Sequence, residues 1–298
     1  MCFKIQDRAE KGIMTQKNND YKLLDSGNFQ KLEQIGPYKI KRPCLQAIWS
    51  KSSPKSWSGI DFEFERTKEG QGKWKKNKKG LPSSWTIDIQ GQKNLIKLTD
   101  FGHIGLFLEH HENTKRLSEV IAKTPADKPL RVLNLFAYTG FLSLFLARNK
   151  VQVVHLDASK KSIDWGKENL ELSKIEPNYI RWITDDVLKF VAREKRRNSL
   201  YDGIILDPPS FGRGPKGELW KIDDHLIPLL EELKSILSKD FKFILLSSHS
   251  PGHTPIALKN VLSQVVDAPE KIDAFELTIQ EHLSERLLPS GSCAYFKR

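Results

Sequence analysis

Arg131-Val-Leu-Asn-Leu-Phe-Ala-Tyr-Thr-Gly140 is the stretch whose reading decides the fold. A short apolar run, 131–136, ends in a turn and gives way at Gly140 to a helical pattern that continues to Arg148. The same unit recurs downstream. Val151–Leu156 is followed by a helix over 159–173, Tyr179–Ile183 by one over 186–196, Tyr201–Leu206 by one over 222–237, and Phe241–Ser247 by one over 254–265. Alternation of this kind specifies a doubly wound, mostly parallel α/β sheet with helices on both faces. Two further strands, Ala274–Gln280 and Cys293–Phe296, predict an antiparallel hairpin at its edge. Upstream, Leu106–Ala122 reads as a helix entering this region.

Between Tyr21 and about Lys97 the pattern changes to short, alternating segments. Tyr38–Lys41, Gly59–Glu65 and Trp85–Gln90 read as half-buried strands, punctuated by Gly36-Pro37, Gly70-Gln-Gly72 and Gly91. Four of the seven tryptophans fall here, which predicts a small β domain with an aromatic core. The expected organisation is a flexible segment 1–19, a basic β-rich substrate-binding domain 20–98 and a catalytic domain 99–298.

The chain has 298 residues and a net charge of +11, distributed unevenly. Residues 1–98 hold 20 Lys+Arg against 10 Asp+Glu, whereas residues 99–298 are nearly balanced, 28 against 27. A localised positive field attracts polyanions, so an RNA partner is expected. Lys73-Trp74-Lys75-Lys76 combines cations with one aromatic, a pairing that can hold phosphates and stack a base. It equally describes an exposed hairpin tip with Trp74 folded back. No apolar run is long enough to span a bilayer. The three cysteines, Cys2, Cys44 and Cys293, lie far apart without metal-ligand spacing, so a reducing cytoplasm and no metal are expected.

In doubly wound sheets ligands bind beyond the carboxyl ends of the strands. The loops there carry four groups of interest. Phe136-Ala137-Tyr138-Thr139-Gly140 is a tight turn that lets backbone approach a ligand, without the three glycines of a dinucleotide fingerprint. Asp157, with Ala158 and Ser159, follows the second strand, and its carboxylate can accept both hydroxyls of a ribose. Asp185-Asp186-Val187 follows the third; Asp186 is assigned to an adenine amino group and Asp185 to helix capping. Asp207-Pro208-Pro209-Ser210-Phe211 follows the fourth. The prolines stiffen the backbone and leave carbonyls as acceptors, and Phe211 offers a face for a planar group.

Asn134–Gly140, Asp207–Phe211 and the upstream Gly105-Leu-Phe-Leu-Glu-His110 together resemble the class I S-adenosylmethionine-dependent methyltransferases. More narrowly, residues 99–250 are similar to the bacterial large-subunit ribosomal RNA methyltransferases and their uncharacterised relatives. The resemblance implies S-adenosylmethionine as cofactor, Tyr138, Thr139 and Gly140 at its methionine part, and contributions from Phe107 and Glu109. It also implies Asp207, Pro208, Pro209 and Phe211 as the catalytic motif. Some family members carry a cysteine after the fifth strand for attack on a pyrimidine carbon. Here that stretch, Leu245-Leu-Ser-Ser-His-Ser-Pro251, holds serines, so the expected target is a base nitrogen. His249 is a candidate proton acceptor. Arg213 and Lys216, in a glycine-rich segment expected to be mobile, are assigned to substrate phosphates. The alternatives left open are a protein or small-molecule methyltransferase and a non-catalytic cofactor-binding assembly factor.

Overall fold

A computed structural model describes residues 19–67, 72–125 and 127–298. The segment expected to be flexible lies outside these residues apart from Asn19, whose backbone bridges to Ile89. The chain opens with β1 (Tyr21–Gly27), β2 (Gln30–Ile35), β3 (Tyr38–Pro43), β4 (Phe62–Arg66) and β5 (Gly72–Lys76), hydrogen-bonded in that order into one sheet. A separate hairpin, β6 (Ser84–Ile89) and β7 (Gln92–Lys97), follows. The aromatic core expected here is present. Phe62 is fully buried and stacks on Trp85 at 5.3 Å, with Tyr38 edge-on to both. Burying a side chain of that size is worth about 1.5–3 kcal/mol. The basic stretch Lys73–Lys76 lies in strand β5 and not at a hairpin tip.

The remainder is the α/β sheet. Its elements are α1 (His111–Ala122), β8 (Arg131–Leu135), α2 (Phe141–Arg148), β9 (Gln152–Asp157), α3 (Lys160–Leu172), β10 (Ile180–Thr184) and α4 (Val187–Arg196). Then come β11 (Gly203–Leu206), the small hairpin β12 (Phe211–Arg213) and β13 (Leu219–Lys221), α5 (Ile222–Lys234), β14 (Phe243–Ser248), α6 (Pro255–Leu262), β15 (Ile272–Gln280) and β16 (Leu287–Lys297). The strand order is β10-β9-β8-β11-β14-β16-β15. The five strands from β10 to β14 run parallel, and the antiparallel β16 and β15 complete the edge. The order reverses between β8 and β11, and there the loops after both strands open a crevice.

Two expectations are corrected. Leu106–Ala122 is not one helix: a 3-10 turn, Leu108–His110, precedes α1. Gly105 forces this, with φ +89 and its carbonyl accepting from the Thr139 hydroxyl at 2.6 Å. The segment after Asp207 is not a free loop but the β12–β13 hairpin, anchored by the buried Trp220 and a Glu218–Lys189 ion pair.

The β region and the α/β region share their interior. One buried cluster contains Leu23, Ile35 and Ile40 together with Leu117, Leu144, Phe243 and Leu288. A polar seam reinforces it. Ser26 donates to Glu281 at 2.5 Å, the His282 amide donates to the Leu23 carbonyl at 2.6 Å, and Arg286 donates to the Ser26 carbonyl at 3.1 Å.

A Cβ at Gly105 would lie 2.0 Å from the Trp165 ring, in a backbone conformation that L side chains rarely adopt. Gly105→Ala is therefore expected to cost about 1–3 kcal/mol, read as a lowered urea midpoint.

Candidate active site

The strand order places two functional clusters side by side. The first is a cleft of about 470 Å³ at the carboxyl ends of β8, β9, β10 and β11. Phe136 and Tyr138, from the turn after β8, line it in left-handed backbone conformations, φ +56 and +51. Such geometry costs on the order of 1–3 kcal/mol per residue and persists only where surrounding bonds enforce it. The Tyr138 amide donates to Asp157 Oδ2 at 2.8 Å, Ala137 donates to the Leu156 carbonyl at 3.0 Å, and the Gly140 amide donates back to Ala137 at 3.0 Å. Gly140, φ +87, then starts α2. Thr139 is buried and occupied by Gly105. Asn134 is spent on packing: its amide donates to Ser143, which sits 2.9 Å from His155.

Asp157 faces the cleft with Ala158 and Ser159. Burial pushes its carboxyl up, offset in part by amides from Ser159 and Tyr138. Each oxygen keeps a lone pair for a further donor, as a vicinal diol requires. Ser159 caps α3, accepting from the Ser162 amide. At the next strand the helix cap falls to the other of the two acids. Asp186, not Asp185, caps its helix by accepting from the Lys189 amide at 3.0 Å. Asp185 instead pairs with Arg193. Both still line the cleft beside Val187. Leu156, Val187, Phe136 and Trp220 make apolar walls for a planar group, and Phe136 packs on Trp220 at 4.7 Å. Acid for a ribose, apolar walls for a ring and a tight backbone turn next to them form a donor set that suits a nucleoside carrying an amino-acid tail.

The second cluster surrounds Asp207. Its Oδ2 lies 3.0 Å from His110 Nε2, and its Oδ1 accepts from the Ser247 hydroxyl at 2.6 Å and faces His249 Nε2 at 3.4 Å. Asn113 donates to His110 Nδ1 at 3.0 Å, which leaves the proton on Nε2, pointing at Asp207. Burial would raise the Asp207 carboxyl, but His110 and His249 outweigh it and hold it well below the usual range. Burial would likewise lower His249, yet Asp207 and then Glu109 push it up to about 10. This favours the protonated form of His249, a hydrogen-bond donor to Asp207, over the candidate role of proton acceptor. His110, Asp207 and His249 also bring three possible metal-ligand atoms within 4.8 Å of one another.

The other candidates are distributed as follows. Pro208 and Pro209 line the cleft, but the Pro209 carbonyl is taken by the Trp220 indole at 2.8 Å, so the expected wall of free acceptors narrows to Pro208 and Asp207. Phe211 sits on β12, 55% exposed and outside the lining of the cleft. Arg213 lines the cleft and lies 6.0 Å from the Phe211 ring; Lys216 is exposed at the hairpin tip. Phe107 lies between the two clusters, 5.4 Å from Tyr138 and 5.7 Å from His249. Glu109 is buried and faces His249 Nδ1 at 3.7 Å. Lys73, Lys75 and Lys76 are exposed on β5, whereas Trp74 packs on Phe64 and donates to the Thr99 carbonyl at 2.8 Å. Sequence reading missed His110, Ser247 and Trp220. His110 carried a signal, since it ends the quoted segment Gly105–His110.

The ion pair sets a pH dependence. A raised folded-state pKa at His249 stabilises the fold fully below its ordinary value of about 6.5 and ceases to do so as pH rises through about 10. In proton NMR the His249 ring resonances should stay in their protonated position through neutral pH. Asp207→Asn should bring the midpoint down towards about 6.5.

The sequence profile of the S-adenosylmethionine-dependent methyltransferases matches residues 70–237. A ribosomal RNA large subunit methyltransferase K/L of Pseudoalteromonas atlantica is 32% identical over 211 residues, 70% of this chain and 26% of that protein. The ribosomal RNA large subunit methyltransferase K of Neisseria meningitidis serogroup B is 32% identical over 153 residues, 51% of this chain and 41% of that protein. The chain thus spans less than half the length of these curated relatives. The crystal structure of an S-adenosylmethionine-dependent methyltransferase from Agrobacterium tumefaciens is 36% identical with a TM-score of 0.87, covering 94% of this chain and 91% of that one. The cleft beside Asp157, the Asp207 cluster and these likenesses converge: the chain belongs to the S-adenosylmethionine-dependent methyltransferase family.

Proposed function

We propose that the enzyme methylates a nitrogen of a base in RNA, ribosomal RNA being the substrate named for its relatives. The observation that carries this reading is the ionised, doubly clamped Asp207 beside the cofactor cleft, with no competent thiol at it among the described residues. S-adenosylmethionine supplies an electrophilic methyl group when bound. Asp157 would hold its ribose, the apolar wall of Leu156 and Val187 with the acid Asp186 its adenine, and the turn 137–140 its methionine part.

The residues around Asp207 favour nitrogen over carbon. Attack on a pyrimidine carbon needs a thiolate. Cys293 lies across from Ser247 in the sheet, but it is fully buried and burial pushes its thiol far up. Cys44 lies in the β region, also shifted up by burial; Cys2 is outside the described residues. A base nitrogen needs only positioning. Asp207 and the Pro208 carbonyl accept N–H groups of the target base and hold its lone pair toward the methyl. With its pKa far below neutrality, Asp207 orients rather than keeps a proton. Any proton released passes to solvent. The His110 and Ser247 donors fix the carboxylate in one rotamer, so its acceptor direction is set before substrate arrives. The basic 20–98 region would serve capture and the 99–298 region catalysis, in the cytoplasm.

Asp207→Asn should lower transfer of labelled methyl into RNA by about 100-fold or more, while S-adenosylmethionine binding by calorimetry stays measurable. Wild-type turnover in this variant would refute the role. Asp157→Ala should weaken cofactor affinity by about 10- to 100-fold, and an unchanged dissociation constant would refute the ribose assignment.

A further inference from the structure

A second cavity, about 270 Å³, opens on the other side of Phe107 and His249. It shares those two residues and His103 with the cofactor cleft, and Glu109 is in its lining. Its outer wall comes from the β region: Lys31 and Arg42 from β2 and β3, and Phe64 and Arg66 from β4. Lys31 and Arg42 both pair with the buried Glu33, which leaves this trio one positive charge in excess. Arg66 is exposed and makes no ion pair with any described residue. The wall is therefore electropositive. His103 registers that field: burial first, then Arg42, Arg66 and Lys31, push its imidazole down to about 4. At the mouth stand two exposed apolar side chains, Phe101 at 59% and Leu45 at 68%.

Cations beside an exposed aromatic ring are what single-stranded nucleic acid uses: phosphates take the charges and a base takes the ring face. An acidic peptide would use the cations and leave Phe101 without a purpose. The position matters as much as the chemistry. A group passing through this cavity meets His249, whose Nε2 is 3.4 Å from Asp207, without crossing the cofactor cleft. By contrast, Lys73, Lys75 and Lys76 line neither cavity.

We propose that this cavity is the acceptor port, through which an unpaired or flipped-out RNA nucleotide reaches Asp207 while flanking phosphates sit on Arg66 and Lys31 and a neighbouring base stacks on Phe101. The port rests on the reading of RNA as substrate. It makes the β region a wall of the active site rather than a remote tether.

The test uses the full chain and a short fluorescein-labelled single-stranded RNA, read by anisotropy across a salt series, with S-adenosylmethionine affinity as the check on folding. Arg66→Gln should weaken RNA binding and reduce the salt slope by about one. Phe101→Ala should weaken it about 5- to 100-fold with the slope unchanged, and Phe101→Leu, which keeps apolar bulk without a ring face, should behave the same way. Cofactor affinity should be wild type in all three. If wild type labels RNA but these variants bind it with unaltered affinity and slope, the port is wrong and the substrate reading stands. Equal displacement of RNA from wild type and Phe101→Ala by polyglutamate would mark a site for acidic peptide and also overturn the port. Failure of wild type to label any RNA overturns the substrate reading and the port together.

Discussion

A carboxylate withdrawn from most of its solvent must be compensated, and the region around the half-buried Asp207 is arranged to do that. Two imidazoles and a hydroxyl converge on its two oxygens from three separate elements: the turn before α1, the end of β14 and the loop after β14. Removing such partners would leave a half-buried charge without compensation, so the site and the local fold are coupled. The compensation also underlies the proposed chemistry. On the proposed reading, an ionised acceptor held in place orients N–H groups and is a weak base, and Asp207 and Glu109 bias the adjacent His249 toward its protonated form.

The same constraint explains why the segment 99–110 takes its irregular path. His110 must reach Asp207 while Phe107 separates the cofactor cleft from the second cavity. A helix running straight from Leu106 would place these side chains on the wrong turn. Gly105, with positive φ and the Trp165 ring against it, provides the bend, and Thr139 fastens it. The strained Phe136 and Tyr138 do the corresponding service on the side of the cleft beside Asp157. Both strained segments meet at Thr139, so the two halves of the site are mechanically joined.

Much of this was legible in the sequence. Strand-helix alternation located the parallel sheet, because a buried parallel strand is a short apolar run and its helix follows at once. Asp157 and Asp207 were found because they end such runs. What stayed hidden depends on contacts distant along the chain. Nothing local distinguishes Asp185 from Asp186 as the cap; that is settled by Arg193 pairing with the former. Phe211 looks like a stacking residue beside two prolines, yet the β12–β13 register turns it outward and buries Trp220 instead. Trp74 among lysines resembles a base platform until Phe64 and Thr99 claim it. The shared interior of the β and α/β regions is likewise invisible locally, since Ser26 meets Glu281 only in three dimensions.

Nitrogen selectivity is the central claim, and nucleoside mass spectrometry tests it most directly. RNA from a strain lacking the gene would be incubated with the enzyme and deuteromethyl-labelled S-adenosylmethionine, then digested to nucleosides. The account predicts label on a ring or exocyclic nitrogen of one base, absent with Asp207→Asn. Label on carbon 5 of a pyrimidine, or in protein with none in RNA, would contradict it.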